Sequence, residues 1–322
     1  VYMKHKNKKP KGRGRLKLTT LIKLLDFDNI NFSVEKKEGG RGRPPLDLKS
    51  MVRAFMVMTF KGLSERGLEI FLRHYPFWSR LCGFKGKAPC HASFSNFKRR
   101  IGEDTLKEVM RGLVDQLVEN GAINLVTVAV DSSTLDAALK DMEAAWGYTW
   151  EGPFYGYKIH IVCCTDSELP VSLAVTPGNV HDSTQCLPLI RDARKIKRTI
   201  SYMVADTAYD SLEIYETLKE KYNIISVVPF NPRNGEKTYD YGIQRLYYFE
   251  TAFLKRLYRR RTAVERVNNI VTKELGLEYL RYKGLRAVTF QAYITCICQL
   301  AAASVAVTLG LKMNMRKVSF FK

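Results

Sequence analysis

Between residues 46 and 60, apolar side chains at Leu48, Met51, Val52, Phe55 and Met58 recur close to the 3.6-residue period of a helix. Ser64 stands before a second such stretch, Glu65–His74, where its hydroxyl can accept a hydrogen bond from an early helix N–H. A third helix is expected from about Ser93 through Lys98-Arg99-Arg100. A fourth starts near Asp104, a capping residue, and runs to Glu119. This half of the chain therefore reads as several short helices, one of them strongly basic.

From Ala122 the texture changes. Asn124–Val130 is a short β-branched run with few polar groups, the pattern of a buried strand. Tyr157–Thr165 and Pro170–Thr176 read as two more strands, joined by a tight turn at Asp166-Ser167-Glu168 and so antiparallel neighbours. Thr184–Lys197 reads as helix, Ser201–Ala205 as strand, Ser211–Tyr222 as helix and Ile224–Val228 as strand. A long helix follows over about Thr251–Leu275. The later strand–helix alternation implies parallel crossovers, so the class is α/β with a mixed sheet flanked by helices. Val288–Leu311 is apolar enough to raise the question of a membrane span. Gln291, Thr295 and Gln299 recur along it at helical spacing, which favours a buried helix and no membrane partner.

Charge changes the picture. The chain has 52 Lys and Arg against 32 Asp and Glu, a net +20 with a pI near 9.6. An excess of that size attracts polyanions, nucleic acid first among them. Much of it is concentrated. Residues 1–17 hold Lys4, Lys6, Lys8, Lys9, Lys11, Arg13, Arg15 and Lys17 and no acid, a basic arm suited to a DNA backbone or groove. Glu38-Gly-Gly-Arg-Gly-Arg-Pro-Pro45 cannot be helical and reads as a linker, with Arg41 and Arg43 free to meet phosphate. The helices after it fit a helix-turn-helix-like DNA-binding module, or equally a bundle with a solvated basic face. The seven cysteines are scattered without a CxxC pair, as reduced thiols of the cytoplasm would be. Cys82, Cys90 and His91 lack a fourth ligand for zinc. No apolar run follows the basic N-terminus as a secretory leader would require.

Three carboxylates carry the candidate chemistry. Asp131 directly follows the first buried strand and Asp206 the fourth, and sites in open α/β sheets gather at such strand ends. Glu265 lies mid-helix in Tyr258-Arg-Arg-Arg-Thr-Ala-Val-Glu265, where a helix crossing the sheet can bring it to the same point. Phosphodiester hydrolysis needs charge neutralised on both attacking and leaving oxygens, which two Mg2+ ions about 4 Å apart can do. Oxygen ligands suit Mg2+, with Mn2+ as the alternative. Without a cation or a nearby Arg, one of these acids should hold its proton more readily. Glu274, nine residues after Glu265, would face the opposite side of a regular helix and solvent.

The second half of the chain resembles the DDE transposases of bacterial and archaeal insertion sequences. The resemblance lies in Val130-Asp131-Ser-Ser-Thr-Leu135, Gly156-Tyr-Lys-Ile-His160, Gly178-Asn-Val-His-Asp-Ser183, Ala205-Asp206-Thr-Ala-Tyr-Asp-Ser211 and the Tyr258…Arg261…Glu265 helix. It covers about residues 121–300, and the segment ending in Cys90–Arg100 is similar to N-terminal regions of these enzymes. It implies an RNase H-like catalytic core and Asp131, Asp206 and Glu265 as metal ligands. Tyr258 and Arg261 would bind phosphate near the scissile bond. The family pattern continues with a basic residue seven positions after the Glu. Here Thr272 holds that position and Lys273 comes one later, as a third phosphate contact on nearly the same face.

The expected organisation is a basic arm and linker (1–45), a helical DNA-binding region (46–120), the catalytic domain (121–283) and a C-terminal helix and tail (284–322). The expected activity is cleavage at insertion-sequence ends by metal-assisted hydrolysis, with the freed 3′-hydroxyl joined to target DNA. Double-stranded DNA and a second copy of the chain are the expected partners, and the nucleoid in the cytoplasm the expected location. A related nuclease, a transposase relic and an inactive DNA-binding regulator are the alternatives. His181 and Asp182 read as a structural hydrogen-bonding pair. Lys158 and His160, alternating on a strand, either approach phosphate or end in solvent.

Overall fold

The computed structural model describes residues 17–27, 30, 46–196, 199–231 and 251–321. The basic arm up to Arg15 and the Glu38–Pro45 linker lie outside them.

Six helices come first: α1 (Leu18–Leu24), α2 (Leu48–Phe60), α3 (Glu65–His74), α4 (Pro76–Cys82), α5 (His91–Arg100) and α6 (Glu103–Glu119). Asp47 caps α2 through the Ser50 N–H at 2.9 Å, and Ser64 caps α3 through the Gly67 N–H at 3.0 Å. The α3 cap is the one its sequence announces. Helix α6 begins one residue before Asp104, with Gly102 at the cap, so Asp104 serves instead as an acid of the first turn. The short helices α1 and α4 carry no periodic signal long enough to read, yet Leu21, Ile22 and Cys82 are buried.

The second half builds a six-stranded sheet: β1 (Thr127–Asp136), β2 (Ala145–Thr149), β3 (Gly152–Cys164), β4 (Leu169–Pro177), β5 (Tyr202–Val204) and β6 (Ile225–Val227). β1 and β3 pair antiparallel along their length, from Val128↔Cys164 to Asp136↔Gly156. β4 lines the outer edge of β3 up to Tyr157↔Pro177. From Gly156↔Ala145 onward, β2 takes over that same edge. On the other side of β1 lie β5 and β6, both parallel. This mixed sheet flanked by helices is the RNase H-like α/β architecture.

Two boundaries differ from their sequence pattern. The first strand starts at Thr127 and runs on to Asp136. Its polar Asp131–Thr134 segment hides a strand that β3 is long enough to pair. Strand β2 falls in a stretch to which the sequence pattern assigns no element. Between β4 and β5, a single 3-10 turn (Asp182–Gln185) leads into α7 (Cys186–Ala193). After β5, α8 (Leu212–Glu216) continues as a π turn over Thr217–Lys221.

The expected long helix is present but not regular. α9 (Ala252–Tyr258), a 3-10 turn (Arg259–Arg261), α10 (Thr262–Asn269) and a π turn (Ile270–Glu274) follow one another without a break, and α10 packs on β1 and β3.

α11 (Leu285–Thr308) is apolar on all sides and packs against α1, α2, α6 and β4. Several of its polar groups have internal partners. Gln291 accepts from the Arg281 N–H at 3.0 Å and donates to the Tyr279 carbonyl at 3.1 Å, and the Tyr293 hydroxyl donates to the Leu173 carbonyl at 2.9 Å. Its length and composition would suffice to cross a membrane, but the helix is mostly buried inside this protein. Through α11 the helical half and the sheet share one apolar core, in which each fully buried Leu, Ile or Phe contributes about 1.5–3 kcal/mol. The seven cysteines are free thiols.

Candidate active site

The parallel ladder between β1 and β5 ends at Ala129↔Val204. Asp131 and Asp206 each lie two residues beyond that pair, so they extend side by side from neighbouring strands. Asp131 sits inside β1 rather than after it. What ends at that level is its parallel partner, which leaves both carboxylates half-buried at a strand-end cleft. Asp206 caps the turn that follows it, accepting the Ala208 N–H at 2.9 Å.

The two acids act on each other. Burial first, and then the charge of Asp206, push the Asp131 carboxyl up to about 7. A bond from Ser132 and the charge of Arg261 pull the other way, and Glu265 adds to the rise. Asp206 is raised as well, mainly by burial, against its Ala208 bond and Arg261, with Asp182 contributing further.

Glu265 and Arg261 come from the helix packed over this cleft. One turn apart, they form an ion pair of 2.6 Å. Burial works against the charge of Arg261, yet Glu265, Tyr258, Asp131 and Asp206 together hold its pKa above the usual value. Tyr258 is half-buried beside Arg261, and burial raises its hydroxyl. Arg261 is thus within electrostatic reach of Asp131, Asp206, Tyr258 and Glu265. Arg260 and Arg266 do not join them: Arg260 pairs with Asp166 and Arg266 with Glu168, both at 2.7 Å on the β3–β4 turn.

Lys273 lies farther along the same helix. In a regular helix, eight residues after Glu265, it would point about 80° away. The π turn at Ile270–Glu274 widens the last turn and brings it back toward the Glu265 face, while Thr272 is buried. Lys273 is exposed, ion-paired with Glu278 and within electrostatic reach of Asp136. Glu274 is half-buried and has an interaction of its own, so it does not stand in open solvent.

A second cluster, not legible as such in the sequence, borders Asp206. Lys158 donates to Asp182 at 2.9 Å and to the Val180 carbonyl at 3.1 Å. His160 is fully buried and bonded through Nε2 to the Thr176 hydroxyl at 2.8 Å; its Nδ1 has no hydrogen-bond partner among the described residues and faces the Asp182 carboxylate at 3.9 Å. Burial lowers His160 to about 4. Asp182 opposes the shift and Lys158 favours it, so the ring is neutral at physiological pH. Lys158 and His160 therefore do not end in solvent; both face Asp182. His181 and Asp182 do not bond to each other either: His181 caps its turn through Ser183, with Nδ1 to Oγ at 2.8 Å, while Asp182 serves Lys158. The alternation of Lys158 and His160 signalled a shared face. Only the tertiary fold shows that Asp182 closes it.

Comparison with known proteins decides the identity. Residues 124–300 match the family model "Transposase DDE domain", and residues 4–100 match "Transposase domain (DUF772)". The chain belongs to the DDE transposase family. Among solved structures, it is similar to a piggyBac transposase synaptic complex with hairpin DNA, at 12% identity and TM-score 0.47. That match covers 96% of this chain and 80% of the other. It also resembles a Mos1 transposase paired-end complex with the left transposon end, at 11% identity and TM-score 0.23 over 76% and 83% of the two chains. The family assignment rests on the sequence match and not on these likenesses.

DDE transposases generally use a divalent metal, and the donor set of this transposase suits one. Its acids supply hard oxygen ligands, and the burial and the Asp206 repulsion that raise Asp131 are what a bound cation would offset. Among the described residues, no three His, Cys, Asp or Glu side chains stand together as a ready metal site. Asp131 and Asp206 fit as they lie, whereas Glu265 is engaged by Arg261.

Proposed function

We propose that this transposase cleaves DNA at the ends of its element and joins the resulting 3′-hydroxyl to target DNA, with Asp131, Asp206 and Glu265 as its catalytic carboxylates. The observation that carries this reading is that Asp131 and Asp206 lie side by side beyond the β1–β5 ladder, with Arg261, the ion-pair partner of Glu265, within electrostatic reach of both. Mg2+, or Mn2+ in its place, would be held there by the three carboxylates, and its chemistry is charge neutralisation at the attacking and leaving oxygens.

The protein's own part follows from its charges. Arg261 is now the counter-ion of Glu265. When substrate arrives it passes to the phosphate, whose two non-bridging oxygens offer a planar guanidinium two acceptors, and Glu265 turns to the two aspartates. The Tyr258 hydroxyl orients the same phosphate, and Lys273 holds a phosphate farther along the strand. Asp182 adds negative charge beside Asp206, which Lys158 offsets, so substrate phosphate is not repelled from that side.

DNA is the partner that the net +20 and the arm of residues 1–17 suit best, with the helices of residues 46–120 as the binding region and 121–283 as the catalytic domain. Two ends must be joined in one event, so a homodimer assembled on DNA, at the nucleoid, is the working form.

The test uses the full chain and duplex oligonucleotides carrying the inverted repeats that flank its gene. Asp131→Asn, Asp206→Asn and Glu265→Gln should each abolish Mg2+-dependent cleavage while duplex binding persists. Cleavage near the wild-type rate in any of them would remove that residue from the site, and cleavage in all three would overturn the reading.

A further inference from the structure

Trp146, Tyr148 and Trp150 alternate along β2 and into the turn after it, and all three are open to solvent, at 57%, 79% and 93% of full exposure. They account for two of the three tryptophans in the chain. The hairpin that carries them is firmly mounted. On its other side Gly147 lies so close to Gly178 that an added Cβ would come within 2.3 Å of the Gly178 carbonyl, and one on Gly156 within 2.0 Å of the Leu135 carbonyl. The turn is closed by the Thr149 hydroxyl donating to the Gly152 carbonyl at 3.1 Å. A large aromatic surface held this rigidly and left uncovered by the described residues calls for a ligand.

Register shows where the rings face. Asp131 pairs with Ile161, Ser133 with Ile159 and Leu135 with Tyr157. Directly paired residues share a face, and alternate residues return to it. Tyr155 and Pro153 are therefore on the Asp131 face of the sheet, and so are their partners Trp146 and Tyr148. Trp146 and Tyr155 pack with ring centroids 5.4 Å apart. Asp136 lies five residues along β1 from Asp131, about 17 Å at 3.3–3.4 Å per residue. Lys273 is within electrostatic reach of Asp136, so the Arg261-to-Lys273 helix leads from the carboxylates to the foot of the hairpin.

We infer that this hairpin is a stacking surface for unpaired bases of the DNA strand engaged at the carboxylates. The inference rests on the catalytic reading above for the position of that strand. Same-face rings on a strand repeat about every 6.6–6.8 Å, twice the 3.4 Å rise of stacked bases, so each gap between rings admits one base. Every base has a flat π-face, so such a surface takes single strands of any sequence. A second copy of the chain is the rival occupant, but alignment with the carboxylate face and the net +20 of the chain as a whole favour nucleic acid.

Intrinsic fluorescence tests this directly, because most tryptophan emission comes from the hairpin. The full chain is titrated in EDTA, where no cleavage occurs, with a single-stranded oligonucleotide, a duplex bearing an unpaired tail and a blunt duplex of the same sequence. The expected result is quenching by the first two and little by the third. Tyr148→Ala, which keeps both reporters, should weaken the tailed duplex by about tenfold and leave the blunt duplex unchanged. Tyr148→Leu, apolar but unable to stack, should behave like the alanine variant, and unchanged melting temperatures exclude misfolding. Equal quenching by all three ligands, or equal losses on tailed and blunt duplexes, overturns the proposal. So does a variant whose only defect is loss of a nucleic-acid-free dimer in sedimentation, which assigns the surface to a second copy. Asp131→Asn should quench like the wild type. If it also cleaves, the catalytic assignment fails while the hairpin result stands.

Discussion

Asp131 burdens the fold that carries it. Its carboxyl ionises near pH 7 in the native protein, against about 4 in an unfolded chain. Between those values the folded state binds the extra proton, so this residue makes stability fall as pH rises. His160 works in the opposite direction. Lowered to about 4 from an ordinary value near 6.5, it leaves the unfolded chain with the extra proton, so stability rises with pH across nearly the same window. The two slopes largely cancel in the wild type. Asp131→Asn should uncover the His160 slope and stabilise the protein at pH 8 by roughly 1–3 kcal/mol, with no gain at pH 4. Melting curves across that range check this. Ca2+, which should bind without supporting cleavage, should raise the wild-type midpoint and leave Asp131→Asn unmoved.

The same scale separates the helix acids. Glu265→Gln should lose cleavage, whereas Glu274→Gln, half-buried and engaged elsewhere, should cost some stability and keep activity. If gel assays show the reverse, the third ligand is Glu274. Arg261→Ala should reduce cleavage and DNA affinity while the Ca2+ shift of the melting curve persists, because its partner in the reaction is phosphate.

Among elements, how much was legible depends on what each pattern encodes. Periodic apolar positions and the cap at Ser64 report local physics, so α2 and α3 were readable to within a residue or two, although the Asp47 cap of α2 emerges only in the structure. The second half of β1 was not, because Asp131-Ser-Ser-Thr is polar and only pairing with a distant segment makes it a strand. β2 was missed although its Trp-Gly-Tyr-Thr-Trp alternation has the period of a strand, since both faces lack aliphatic residues. In the candidate site, Asp131, Asp206 and Glu265 were legible by position and resemblance. The links from Asp182 to Lys158 and from Arg260 and Arg266 to the β3–β4 turn are tertiary facts. The π turn falls between: its extra residue is visible as the displacement of Lys273 by one position, but its geometry is not. Lys273→Ala should lower the slope of log affinity against log salt by about one while leaving cleavage chemistry intact. An unchanged slope would place Lys273 off the DNA. Gly147→Ala should destabilise the protein by about 1–3 kcal/mol through overpacking against Gly178, measurable by denaturant titration.

For the molecule as a whole, the helical half and the sheet are parts of one body, joined by the core that α11 completes. Chemical denaturation should therefore show one transition, with tryptophan emission and helical circular dichroism changing together. Separate midpoints would mean two independently stable units. Charge is distributed differently from packing: deleting residues 1–17 removes eight cations and no acids. That deletion should weaken DNA binding and flatten its salt dependence without moving the melting temperature.

The central position of α11 also bears on how the protein is born. Helices α1, α2 and α6 and strand β4 are synthesised long before the segment they pack against. At about 5–20 residues per second, the ribosome takes several seconds to pass from β4 to the end of α11, and through that interval the nascent chain keeps an unfilled apolar cleft. Premature release anywhere in that stretch should yield a chain that cannot close its core and is fit only for chaperones or proteases. Synthesis of α11 and acquisition of an ordered catalytic cleft are thus nearly the same event, and a chain lacking α11, with its basic helices already exposed, should be unable to cut.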